Sequence, residues 1–110
     1  MLTYTKKQKE EIRKRKEKAR KRTYEACKFL QEKGAKDIYI FGSLASDTFN
    51  LHSDVDLAID GLHPEYVYYV EKDLEDIMGD IGFDLVYLHS APQNLRKKIK
   101  KSGKKWTQLF

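Results

Sequence analysis

The chain has 110 residues and a mass of 13.0 kDa, 40% of them apolar and 35% charged, which leaves room for one domain with a modest core. No apolar run is long enough to cross a bilayer, and the opening "MLTYTKKQKEEIRKRKEK" has no apolar core behind its basic residues, so neither a membrane anchor nor a secretory signal is expected and a cytoplasmic location is. The net charge of +5 is unevenly spread: residues 1–36 carry +9, residues 37–89 carry −11 and residues 90–110 carry +7, a pattern that suits cations at the centre and an anionic substrate at the flanks.

Residues 6–33 contain no Gly or Pro and are rich in Lys, Glu, Arg and Ala, which predicts one long helix. Its second half places Ala19, Thr23, Ala26, Cys27 and Leu30 at helical spacing, enough for a core-facing stripe. Its first half, residues 1–18, reads as a basic extension, weakly packed or frayed. Cys27 is the only cysteine, which excludes an intrachain disulfide and a cysteine zinc cage and leaves a small buried hydrophobe. Gly34 fits the helix stop.

"DIYIF", Asp37 to Phe41, is a short β-branched and aromatic run that predicts a buried strand ended by Gly42. "SLASDTF" predicts a turn or two of helix with Ser43 as its N-cap. "DVDLAID", Asp54 to Asp60, predicts a second strand. Pro64 suits a helix start, and Val67, Val70, Leu74, Ile77, Met78 and Ile81 stand at three-four spacing up to Gly82. "FDLVYLH" predicts a third strand. After Pro92, "NLRKKIKKSGKKW" predicts a short basic helix with Leu95 and Ile99 one turn apart, and Trp106 and Phe110 are expected to pack back onto the body. The helical crossover makes the second and third strands parallel neighbours, and the shorter return makes the first antiparallel to the second. The expected architecture is a single α/β (α+β) domain over residues 1–110, with a three-stranded or slightly larger mixed sheet and flanking helices.

Strand alternation puts Asp54 and Asp56 on one face, about 7 Å apart, with Val55, Leu57 and Ile59 on the core side. Two adjacent carboxylates repel unless a cation separates them, and Mg²⁺ favours one or two carboxylates together with phosphates and water. Asp84, the only charged residue in "FDLVYL", is placed to converge on them from the neighbouring strand. Three aspartates suit a two-metal site of the kind used in phosphoryl or nucleotidyl transfer. Gly42 and Ser43 add a close-approach turn for phosphates. The simpler readings are a turn for Gly-Ser, a solvated strand edge for Asp-x-Asp and a lysine partner for Asp84. His52, His63 and His89 are scattered and read as solvent-exposed. Tyr66, Tyr68 and Tyr69 read as a core or interface face.

Gly-Ser, ten residues, Asp-x-Asp with apolar residues after it, and a later lone Asp between apolar residues resemble the minimal nucleotidyltransferases of the DNA polymerase β superfamily. The likeness covers roughly Ala19 to Gly103 and implies the nucleotidyltransferase fold. It further implies transfer of a nucleoside monophosphate, AMP from ATP, to an acceptor hydroxyl with Mg²⁺ or Mn²⁺. On this resemblance Gly42 and Ser43 hold the triphosphate, Asp54 and Asp56 ligate both metals, and Asp84 binds the catalytic metal and helps deprotonate the acceptor. Many relatives read Gly-Ser-x-Ala-Arg-Gly, whereas this chain has Ser46 and Asp47 after Ala45; Lys97, Lys98 and Lys101 are the candidates to replace the missing cation. Small stand-alone relatives often act as antitoxins on a helical HEPN-domain partner, which makes such a protein the implied acceptor or partner. Two alternatives stay open: a non-catalytic antitoxin-type binding module with this fold, and a basic nucleic-acid-binding protein. Homo-oligomerisation is equally open.

Overall fold

A computed structural model describes residues 3–110, so Met1 and Leu2 of the basic extension lie outside the described residues. Helix α1 spans Lys6–Glu32. It starts at a capping box in which the Thr5 hydroxyl accepts from the Gln8 amide at 3.1 Å and the Thr5 amide donates to the Gln8 side chain at 2.9 Å, pairing two otherwise orphaned donors. Arg13 bridges Glu10 and Glu17 along its exposed face. The helix stops where Gly34 takes φ +104° and the Ala35 amide donates back to the Leu30 carbonyl at 3.0 Å. The first half is therefore helical from Lys6. Arg15 fastens it to the body by donating to the carbonyls of Leu51 (2.9 Å) and Ser53 (2.7 Å).

Strands β1 (Asp37–Phe41), β2 (Val55–Asp60), β3 (Phe83–Tyr87) and β4 (Lys104–Lys105) form a mixed sheet in the order β3-β2-β1-β4. β1 runs antiparallel to β2 and β4, and β2 runs parallel to β3. Helices α2 (Val70–Met78), α3 (Gln93–Ser102) and α4 (Trp106–Leu109) complete the fold.

The two faces of the sheet are covered differently. Ile38 and Ile40 of β1 and Val55, Leu57 and Ile59 of β2 face α1 and α2, where Ala26, Cys27, Leu30, Leu74 and Met78 are fully buried. Each such aliphatic side chain contributes about 1.5–3 kcal/mol on burial. Tyr39, Phe41, Ala58 and Val86 face the other way, onto Leu95 and Ile99 of α3. α4 returns the chain to α1: Trp106 and Phe110 flank Tyr24 at ring-centroid distances of 5.9 and 5.7 Å. Burial pushes the Cys27 thiol up to about 12, so it stays protonated and unreactive at neutral pH.

Four local expectations differ from the structure. Leu44 to Asp47 form turns rather than a helix, because Asp47 takes a left-handed φ of +62° and the Thr48 amide reaches back to the Ser43 carbonyl. The ladder of β2 begins at Val55, leaving Asp54 just before it. α2 begins only at Val70, after a 3₁₀ turn at Pro64–Tyr66, since Val67, Tyr68 and Tyr69 are β-branched and aromatic and favour helix poorly. Val67, Tyr68 and Tyr69 are consequently exposed rather than core. α2 ends at Met78, not Gly82, because Gly79 takes φ +62°.

Thr23 is fully buried on α1, and its hydroxyl has no hydrogen-bond partner among the described residues. Thr23→Val keeps the branched shape and removes that unpaired group, so it is expected to stabilise the fold by about 1 kcal/mol. Urea denaturation measures this directly, as a higher midpoint at unchanged slope.

Candidate active site

The candidate site lies where β1 ends, β2 begins and β3 begins. Parallel register pairs Asp56 with Asp84, so their side chains stand side by side on the α3 face of the sheet. Asp54 precedes Asp56 by two residues and shares that side. Two glycines make the fit possible. A Cβ on Gly42 would lie 2.2 Å from Asp56 Oδ2, and a Cβ on Gly82 would lie 2.4 Å from Asp54 Oδ1. Asp56 and Asp54 each rest against a glycine, where any larger residue would push the carboxylate aside.

The electrostatics follow from this crowding. Asp56 is half-buried, while Asp54 and Asp84 are exposed. Burial, then the charge of Asp84, then that of Asp54, hold the Asp56 carboxyl above its usual range. Among the described residues none of the three forms a salt bridge, in a chain with 22 Lys and Arg. Nor do any three acid, His or Cys side chains among the described residues stand as a ready-made metal cage; Asp56 and Asp84 are register partners, and Asp54 lies two residues before Asp56. This uncompensated set of hard oxygen donors fits a divalent cation, which would draw the carboxylates together.

Beside Asp56 opens a cleft of about 400 Å³ lined by Phe41, Gly42, Ser46, Leu95, Lys98, Ile99 and Ser102. It has an apolar floor and three kinds of polar group on its rim. Gly42 turns the chain at φ +71°, and the Ser46 amide closes the turn on the Gly42 carbonyl at 3.0 Å. Ser43 is half-buried and does not line the cleft; Ser46, read from the sequence only as a departure from a pattern, does. Of the three candidate lysines on α3, Lys98 lines the cleft, and Lys97 and Lys101 do not. Asp47, the acid of unfavourable sign in this turn, is engaged by Lys16 of α1. The histidines are elsewhere: His89 lies 3.8 Å from Asp60, four residues beyond Asp56, His63 pairs with Glu65, and His52 shares a shallow pocket with Gln8 and Ile12.

The family described as polymerase beta nucleotidyltransferase matches residues 25–107. The chain therefore belongs to the polymerase β nucleotidyltransferase family, and its four-stranded mixed sheet with flanking helices is the nucleotidyltransferase fold. Among solved structures it is similar to a chain of a toxin–antitoxin complex with AMP-PNP, at 25% identity and TM-score 0.62, over 79% of this chain and 71% of that one. It is also similar to a chain of a mutant MntA toxin–antitoxin complex, at 28% identity and TM-score 0.58, over 72% and 66%. A third similar chain, at 24% identity and TM-score 0.58 over 77% and 68%, belongs to a tri-AMPylated Shewanella oneidensis HEPN toxin in complex with its MNT antitoxin. These solved chains share the nucleotidyltransferase fold with this one. No curated protein matches it. No helix among the described residues is long and apolar enough to cross a membrane.

Proposed function

We propose that this protein moves AMP from ATP to a hydroxyl of a HEPN-type partner protein, as the antitoxin of a toxin–antitoxin pair. The observation that carries this reading is the register pairing of Asp56 with Asp84, with Asp54 two residues before Asp56, where Asp56 lines a cleft shared with Gly42 and Lys98. The similarity to toxin–antitoxin chains, one of them with AMP-PNP, supports it.

Asp54, Asp56 and Asp84 are the residues that would hold Mg²⁺, or Mn²⁺ in its place. Bound there, a divalent cation supplies positive charge against the triphosphate and the leaving pyrophosphate. The chain's own groups do the rest. The turn beginning at Gly42 and Ser43, with the Ser46 hydroxyl, cradles phosphate oxygens. Lys98 supplies the charge that a turn reading Ser46-Asp47 lacks, and Phe41, Leu95 and Ile99 give the nucleotide an apolar floor. Asp84, exposed at the sheet edge, accepts the proton of the incoming hydroxyl. The acceptor oxygen then bonds the α-phosphorus as its bond to the bridging oxygen breaks, and pyrophosphate leaves. Such chemistry depends on positioning and charge neutralisation rather than on a protein nucleophile.

The test is incubation with α-labelled ATP, Mg²⁺ and a purified HEPN-domain partner. Label on the partner's protein band supports the proposal, and no transfer to any hydroxyl acceptor overturns it. Lys98→Gln is expected to weaken ATP binding about tenfold or more, the loss of one charge-assisted phosphate contact. The same change at Lys97 or Lys101 should have little effect. Titration with a fluorescent ATP analogue measures all three, and equal losses at the three positions would reject the assignment of Lys98.

A second reading has one observation in its favour, the Ser46-Asp47 departure. In it the fold binds and neutralises its partner without transfer. Neutralisation would then survive Asp54→Asn and a chelator, whereas the transfer reading requires it to fail under both.

A further inference from the structure

The two edges of the sheet are built differently. At one edge, β4 is two residues long and both are lysines, a short charged edge that discourages pairing with another chain. At the other edge β3 is bare. Among the described residues no turn or loop backbone hydrogen bond engages the outer side of Phe83, Asp84 or Leu85. These three residues line a groove of about 420 Å³ between β3 and α2, whose far wall is Glu71, Glu75 and Gly79. At its active-site end the groove contains Asp84 itself and Gly82, the residue on which Asp54 rests.

The wall has a consistent sign. Glu71 and Glu75 are one helical turn apart, both exposed, and among the described residues neither forms a salt bridge. A like-charged pair at this spacing costs helix stability by itself. Burial first, and then the negative charge of Glu71, hold the Tyr87 phenol above its usual range. The cleft for nucleotide lies on the other side of Asp56, with Lys98 on its rim. The cleft that reaches Asp56 is thus furnished with a cation, whereas the groove that reaches its register partner Asp84 carries only acidic side chains among its charged residues.

We propose that the groove between α2 and the open edge of β3 is the acceptor channel, and that it takes an extended, basic protein segment. Main-chain groups of the segment pair with the outer edge of β3, its Lys or Arg side chains meet Glu71 and Glu75, and its hydroxyl residue arrives at Asp84. Strand addition of this kind gives affinity through the backbone and selectivity through the side chains. The same glutamates repel phosphates, so the channel discriminates against RNA and DNA acceptors. This inference rests on the transfer reading for the role of Asp84, but not for the binding itself.

The full chain is titrated, without ATP, with a fluorescent eight-residue peptide carrying one tyrosine among lysines, with the same peptide carrying glutamates, and with an eight-nucleotide single-stranded RNA. The lysine peptide is expected to bind at least about tenfold tighter than the other two. Glu71→Gln with Glu75→Gln is expected to weaken it about tenfold, with ATP-analogue binding unchanged. Amide exchange at Phe83 to Leu85 is expected to slow when the peptide is present. In transfer assays the double variant should raise KM for the basic acceptor and leave kcat in place. Equal binding of RNA, or indifference to the double substitution, overturns the channel even if AMP transfer is real. Glutamate-dependent peptide binding with no transfer leaves the channel standing and removes the catalytic reading instead.

Discussion

Asp56→Asn is expected to lower AMP transfer by on the order of 10³-fold and, at the same time, to make the cation-free fold more stable. The two effects have one cause. Asp56 sits between Asp54, two residues before it, and Asp84, its register partner, and it is the most buried of the three. Burial and the two like charges hold its pKa above the ordinary value. A carboxyl with a raised folded-state pKa favours the fold fully only below its unfolded pKa, and that contribution is lost as pH rises through the folded value. At neutral pH the ionised Asp56 is therefore a burden, which asparagine removes without changing size.

The thermal advantage of the variant in EDTA should be present at pH 7 and should vanish as pH falls through the raised Asp56 value toward the usual aspartate range. Added Mg²⁺ should raise the melting temperature of the wild type and leave the variant nearly unmoved, because a ligand stabilises only the fold that binds it. Melting curves in EDTA and in Mg²⁺ across pH 4–8 read both. A variant that melts lower than wild type in EDTA at pH 7, or that transfers AMP as well, would contradict this account of the site.

Gly42→Ala is the complementary case, since it keeps every charge and is expected to cost both stability and activity. Gly42 has φ +71°, a conformation that costs a residue with a Cβ about 1–2 kcal/mol. The new methyl would also lie 2.2 Å from Asp56 Oδ2. A carboxylate is the movable end of a side chain, so the clash resolves by turning Asp56 away from its neighbours, and the loss appears in transfer more than in folding. Transfer should fall about a hundredfold or more, and the urea midpoint should drop by the equivalent of about 1–2 kcal/mol. In the background of Asp56→Asn the same glycine change should have little further effect on transfer, because the group it displaces is already inactive. That non-additivity is the signature of direct coupling. Independent, multiplying losses would place the role of Gly42 elsewhere.

Much of the fold was legible because its cues are local. The Gly34 stop, the buried stripe from Ala19 to Leu30 and the apolar alternation of Val55, Leu57 and Ile59 each depend on residues within a turn or a strand of one another. The readings that failed were also local, and backbone conformation defeated them. A left-handed Asp47 broke the helix expected at Ser43, and Gly79 ended α2 before the periodic pattern did. Tyr68 and Tyr69, read as a core or interface face, are exposed and so not core, because α2 begins only at Val70.

The sequence by itself determined which residues are the candidates: a glycine turn, an acid pair two residues apart and a lone acid in another apolar strand. Only the tertiary structure decided how they meet. The register that sets Asp56 opposite Asp84, the contact of Asp54 with Gly82, the pairing of Asp47 with Lys16 and the choice of Lys98 over its neighbours all join residues far apart in the chain. Spacing along a chain specifies which face of an element a side chain occupies. What stands opposite that face depends on how whole elements pack, and that is settled by the burial of the core rather than by the site.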